Sequence, residues 1–322
     1  MSLVIAVADY AVRFTVRSES AFECARRYLI DALARGFESL RDPECVALMG
    51  PLVPGAVMPG GARVPGTSLE LDPAQAAFCL GVMLCRSAGG EARLDPPCAR
   101  ASASLAALLA TADYLARKAR MEGQSPPTLR DVLAAIVKAL EIQGVLAPVS
   151  GEPCAWTATI RRARLAAAAL ATAQLGGAQR EIVTALRYAS LDGGVSADGE
   201  ELSDRARADW MLAEAMSRAV RHACQAVSYQ RARPPTALAV EIPELRGGSS
   251  APVFGTEFIA RLSQRRGSQE TERVRTRFES AVDGHFPARQ AERIKTLFAS
   301  PERLDDLPVN ELLAALVTNG AR

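Results

Sequence analysis

Proton-transfer chemistry needs histidine, lysine or paired carboxylates placed where a substrate can reach them. This 322-residue chain has two histidines, His222 and His285, and three lysines, Lys118, Lys138 and Lys295. His222 lies inside SRAVRHACQAV, which reads as a helix interior, and His285 lies in DGHFPAR, which reads as a turn between helices. A solitary helical histidine is more often packed or surface-exposed than catalytic, and both are read that way. Asp192, Asp198, Glu200 and Glu201 crowd the stretch LDGGVSADGEELSD, an acidic connection rather than a general acid/base pair. The glycines of MPGGARVPGT have neither dinucleotide-loop nor P-loop spacing. Seven scattered cysteines (Cys24, Cys45, Cys79, Cys85, Cys98, Cys154 and Cys224) contain no C-x-x-C pair, and no H-E-x-x-H motif or Cys/His cluster occurs. No metal and no cofactor is therefore expected. A nucleophilic serine or cysteine is not singled out by anything around it.

Composition narrows the partners. Thirty-eight basic and 36 acidic residues leave a net charge of +2, which calls for neither nucleic acid nor an anionic membrane surface. The segment MSLVIAVADYAVRF has no basic start and no cleavage site, so no secretory signal is read. No apolar run reaches the roughly 20 residues of a membrane span. With unpaired cysteines set among apolar neighbours, a reduced cytoplasmic location is expected. Arg161, Arg162 and Arg164 are read as the solvated face of a helix.

The elements that would have to position any site are helices. In SESAFECARRYLIDALARGFESL, Ser20 and Glu23 have capping-box spacing, and Phe22, Ala25, Leu29, Ala32, Leu33 and Phe37 share one face. MGPLVPGAVMPGGARVPGTSLEL has no periodicity and reads as a Pro/Gly loop. Asp72 followed by Pro73 is a helix start. SASLAALLATADYLARKAR is an Ala/Leu helix. In QSPPTLRDVLAAIVKALEIQG, Thr128 caps and Leu129, Val132, Leu133, Ile136, Val137 and Leu140 line one face. A helix pair broken at Gly176–Gly177 follows, then a long helix ending near residue 231. RPPTALAVEIPELRGGSSAPVFGTEF holds the one convincing extended stretch, and three further helices come after it. The predicted fold is all-α, with one irregular insertion near 232–262.

Several of these stretches together resemble the 2-methylcitrate dehydratase (MmgE/PrpD) family. The carriers are ARRYLIDALARGFESL, GPLVPGAVMPGGARVPGTSLELDPAQAAF, LATADYLARKA, PPTLRDVLAAIVKALEIQG and, near the end, FPARQAERI and LPVNELL. The resemblance implies a large helical domain from which the chain leaves to build a smaller α+β lid and then returns. It also implies homodimers that eliminate water from 2-methylcitrate-like tricarboxylates without a metal. On that scheme residues 1–231 are the main helical domain, 232–269 a linker or lid remnant, and 270–322 the returning helices.

The residues implied for proton transfer are changed. Where the family has an L-D-F-[ND]-D-T motif this chain has SAGGEA: the first aspartate position is Ala88 and the second Glu91. The histidine of a following G-H-P segment falls on Arg100, that of H-E-I-Q-G on Leu140, and another on Thr159. The family's lysine before a tryptophan falls on Ala208, beside Arg207. Each lost proton-transfer group removes roughly 10²–10⁴ in rate, and arginine stays protonated and cannot act as a base. The expectation is a degenerate homologue that acts by association or by binding a small carboxylic acid. Its pocket candidates are Glu91, Arg100, Arg207 and His222, and its expected partners are a second copy or a full-length homologue. The alternative is a neofunctionalised lyase, isomerase or cyclase of a specialised pathway that uses the same cleft.

Overall fold

The computed structural model describes residues 3–85, 101–147, 156–191, 205–232, 254 and 268–318. In chain order it contains α1 (Leu3–Arg13), α2 (Glu19–Ser39), α3 (Pro43–Ala47), β1 (Ala62–Arg63), β2 (Glu70–Leu71), α4 (Pro73–Cys85), α5 (Ala101–Met121) and α6 (Leu129–Leu146). Then follow α7 (Trp156–Gln174), α8 (Gln179–Leu191), α9 (Arg205–Ala232), α10 (Ser268–His285), α11 (Ala288–Phe298), α12 (Pro301–Asp305) and α13 (Val309–Ala315). The fold is all-α. The one sheet among the described residues is the hairpin β1–β2, antiparallel, with Ala62 opposite Leu71 and Arg63 opposite Glu70.

Local chemistry starts the helices. Ser18, not Ser20, caps α2, accepting from the Ala21 N–H at 3.4 Å. The expected capping box lies two residues too far along, because the chain is already helical at Glu19. Asp72 Oδ1 accepts from the N–H groups of Ala74 and Gln75 at 3.0 and 3.1 Å, with Pro73 opening α4 as predicted. Asp131 Oδ2 accepts from the Thr128 N–H at 2.8 Å and starts α6. Each such bond satisfies a donor that the first helical turn leaves open.

Small residues set the packing. α4 packs on α5 and α9, and α7 on α5, α6, α8 and α9. Gly81 of α4 lies so close to α9 that a Cβ there would stand 2.6 Å from Ala213 Cα. Most of the circumference of α6 is buried, including Glu141 and Gln143. The single apolar face expected for it is therefore too narrow a description. Likewise Arg162 and Arg164 are buried, not solvated as expected. The alanines of α7 let its neighbours close in on several sides, and the arginine stems fill the space that remains.

The Pro/Gly loop before α4 is more ordered than its lack of periodicity suggests. Strands of two residues are too short to show a period of two. Arg117 of α5 holds this hairpin, donating to Gly61 O at 2.9 Å and to Glu70 Oε1 at 2.5 Å. Beneath it Asp113 is fully buried and accepts from the Arg63 N–H at 2.8 Å and from its guanidinium at 2.6 and 3.1 Å. The same guanidinium donates to Asn310 O at 2.6 Å, reaching α13.

The helices after residue 268 pack back onto this body. Phe37 of α2 meets Phe278 and Phe286, and Arg277 Nε donates to Glu38 Oε1 at 3.0 Å. His285 stacks on Phe37 with ring centroids 5.7 Å apart and donates from Nε2 to Gly66 O at 2.7 Å. Gly66 needs its positive φ of 76° for this turn, and its own N–H donates to Leu316 O at 2.6 Å. His285 is thus a structural tie. Asp305 of α12 accepts from Arg26 at 2.8 Å and from Arg130 at 3.0 Å. The extended stretch expected near 232–262 lies outside the described residues, Phe254 excepted.

Two outcomes follow from this packing. Asp113→Ala leaves the half-buried Arg63 guanidinium without its carboxylate and lowers unfolding free energy by about 3 kcal/mol in urea titration. Gly81→Val forces α4 and α9 apart and costs about 1–3 kcal/mol by the same measurement.

Candidate functional site

The strongest grouping of chemistry-bearing side chains lies where α6 meets α1, α5 and α7. Lys138 and Glu141 are three residues apart on one face of α6, so both turn toward α1. Lys138 Nζ donates to Ala11 O at 2.9 Å, satisfying a carbonyl of the last turn of α1. Burial pulls the Lys138 ammonium below the usual lysine range. The Tyr10 hydroxyl donates to Glu141 Oε2. Tyr10 in turn stacks between Phe14 and Phe254, with centroid separations of 4.8 and 4.5 Å.

Glu141 is 2% exposed. Its other oxygen, Oε1, has no hydrogen-bond partner among the described residues. Burial pushes its carboxyl up to about 7. The direction follows from magnitudes: a hydrogen bond to a charged group contributes roughly 1.5–3 kcal/mol, whereas taking a carboxylate out of water costs several. Desolvation wins, and the group exchanges its proton near neutrality.

On the other sides of α6, Gln143 Nε2 donates to the Ser104 hydroxyl of α5 at 3.1 Å. In α7, Arg162 Nη2 donates to the Thr159 hydroxyl at 3.0 Å. The two positions at which the family resemblance implies histidine, Leu140 and Thr159, are both buried. Leu140 belongs to the main apolar cluster.

The four pocket candidates are distributed differently. Glu91 and Arg100, like Ala88, lie outside the described residues. Arg207 and Ala208 are on the opening turn of α9, with side chains outside the described part. His222 is half-buried on α9, its ring 6.0 Å from that of Tyr188 on α8. Among the described residues no group of three or more His, Cys, Asp or Glu could hold a metal ion, and the described cysteines are free thiols. No described helix is long and apolar enough to cross a membrane.

Tyr10, Lys138 and Glu141 were not among the sequence candidates. Their signal is a charged pair three apart inside the apolar run of α6, which a reading of that helix by its one apolar face passes over.

The MmgE/PrpD N-terminal domain model matches residues 6–242. The chain belongs to the MmgE/PrpD family. It is 36% identical to the 2-methylcitrate dehydratase of Escherichia coli K12 over 224 residues, 69% of this chain and 46% of that protein. The Cupriavidus necator 2-methylcitrate dehydratase is 36% identical over 220 residues, 68% of this chain and 46% of that protein. The 2-methylcitrate dehydratase-like protein oryR of Aspergillus oryzae is 39% identical over 143 residues, 43% of this chain and 29% of its own length. The chain thus spans about half the length of the bacterial relatives it matches.

If Leu140 stands in closed apolar packing, a histidine there will not be tolerated. Leu140→His lowers stability by about 2–4 kcal/mol in urea titration, through the loss of buried methyls and the burial of an imidazole. A neutral effect reveals a wet, open cleft at this position.

Proposed function

We propose that this MmgE/PrpD chain has lost 2-methylcitrate dehydration and acts by association, or by binding a small carboxylic acid, in a reduced cytoplasmic setting. The observation that carries the reading is the pair Leu140 and Thr159. Both are buried, neither titrates, and they stand where the family resemblance implies histidines. Arg100 at a third such position adds a cation that cannot accept a proton. An apolar loop supports association. Leu52, Val53 and Val57 are 83, 64 and 72% exposed, and clustered exposed apolar side chains are features of interaction surfaces. A second copy of this chain, or a full-length homologue, is the proposed partner.

The experiment measures conversion of 2-methylcitrate and citrate by NMR, with a full-length relative as standard, and molar mass by light scattering. The expected result is a rate at least roughly 10²–10⁴ below the standard, and a mass above the monomer. A rate within tenfold of the standard overturns the reading.

A second reading is favoured by one specific observation, the buried Glu141, whose Oε1 has no hydrogen-bond partner among the described residues and whose carboxyl burial pushes up to about 7. In that reading the chain is a lyase, isomerase or cyclase that works the old cleft with new residues. It requires a related acid to be converted to a different product, with turnover abolished in Glu141→Gln.

A further inference from the structure

Glu141 combines burial, a single donor and an unpartnered oxygen at the seam where α1 docks. α1 packs on α8 and α7. α8 carries Arg180, Glu181 and Arg187, and α7 carries Arg161 and Arg164 besides Arg162, yet burial and not a neighbouring charge is what raises the Glu141 carboxyl. On α1, Asp9 and Arg13 pair with each other at 2.8 Å. On α6, Lys138 is turned onto Ala11 O, and Arg130 reaches Asp305. On α2, Arg26 is held by Asp305 and Glu19, and Arg35 pairs with Asp31 at 3.1 Å. On α5 the polar contact to α6 is Ser104 with Gln143, and on α7 Arg162 donates to Thr159. The Tyr10 hydroxyl is the sole hydrogen-bond donor to Glu141 among the described residues.

One such bond holds the neutral acid adequately. It does not replace the water that an ionised carboxylate loses on burial. When α1 lifts, both oxygens reach water and the ionised form becomes favourable. Tyr10 is also the surface on which Phe254 stacks, so lifting α1 removes that aromatic contact as well.

We propose that the Tyr10–Glu141 contact is a proton-operated latch. With Glu141 protonated, α1 stays docked on α8 and α7, with Tyr10 on Glu141 and Phe254 stacked on Tyr10; ionisation of Glu141 loosens these contacts. The proton passes to solvent as the latch opens. No part of this depends on which functional reading holds.

The sign is fixed by linkage. The docked carboxyl holds its proton up to about pH 7, against an ordinary value of 4.5 once released. Between those limits the docked state binds more protons, so opening grows as pH rises, by up to about tenfold per pH unit, and levels off above 7.

Hydrogen exchange of residues 3–13, corrected for the intrinsic pH dependence of exchange, tests this between pH 5 and 8. Opening of α1 should climb with pH and level off near 7. In Glu141→Gln, which keeps an acceptor for Tyr10 and cannot ionise, opening should be flat. Tyr10→Phe removes the donor that favours the carboxylate while leaving the ring stack, so the levelling-off point should move to higher pH. Isotope-edited infrared titration of Glu141 in the unaltered protein gives an independent readout, with a protonated-carboxyl band persisting to near pH 7. A flat profile in the unaltered protein, an unchanged slope in Glu141→Gln, or a carboxyl that titrates in the ordinary range each overturns the latch. If the glutamine variant does not fold, the infrared titration decides.

Discussion

A carboxylate with no water must be surrounded by donors, and Asp113 in the middle of α5 is the place where that demand organises the chain. Arg63 supplies three donors to it and passes a fourth to Asn310 O. One buried charge therefore draws together α5, the β1–β2 hairpin and α13. With the hairpin so oriented, the turn at Gly66 presents its carbonyl to His285 and its N–H to Leu316. The helices after residue 268 meet the body through that turn and through the Phe37 aromatic cluster. Buried ion pairs contribute little net stability, but they penalise misplacement of either partner severely. In this chain the pair fixes where α13 lies against α5 and the hairpin.

Alanine governs the rest. α4, α5, α7 and α9 approach closely because Gly81, Ala213 and the alanine run of α7 present so little side chain. Close packing leaves few surfaces free. Residues that look like an outer face in sequence, Arg162 and Arg164 above all, are enclosed. It also makes α6 an interior helix, which is how a glutamate reaches a dry seam.

The helices were legible in the sequence because amphipathic period and cap chemistry are local: Asp72 with Pro73, the start at Thr128, and the Gly176 break all fall where expected. The cap of α2 was misplaced by two residues because Ser18 and Ser20 are both plausible caps and only the backbone chooses between them. The hairpin was illegible, since its order comes from Arg117, Arg63 and Asp113 rather than from any strand pattern. At the candidate site, the buried state of Leu140 agreed with its sequence type. Glu141 did not announce itself, because whether a lone carboxylate in an apolar run meets water depends on α1, more than a hundred residues away. The family could be read from unlike segments recurring in order. The fates of Glu91 and Arg100 lie outside the described residues.

The bond between Gly66 and Leu316 has a consequence for how the protein is made. The two partners are 250 residues apart in sequence, so at ribosomal speeds the first waits roughly 12–50 s for the second. During that interval Phe37 lacks Phe278, His285 and Phe286 as cover. The nascent bundle therefore displays a greasy face on α2 until the helix α10 arrives. That face is a natural point of engagement for a chaperone working on the growing chain.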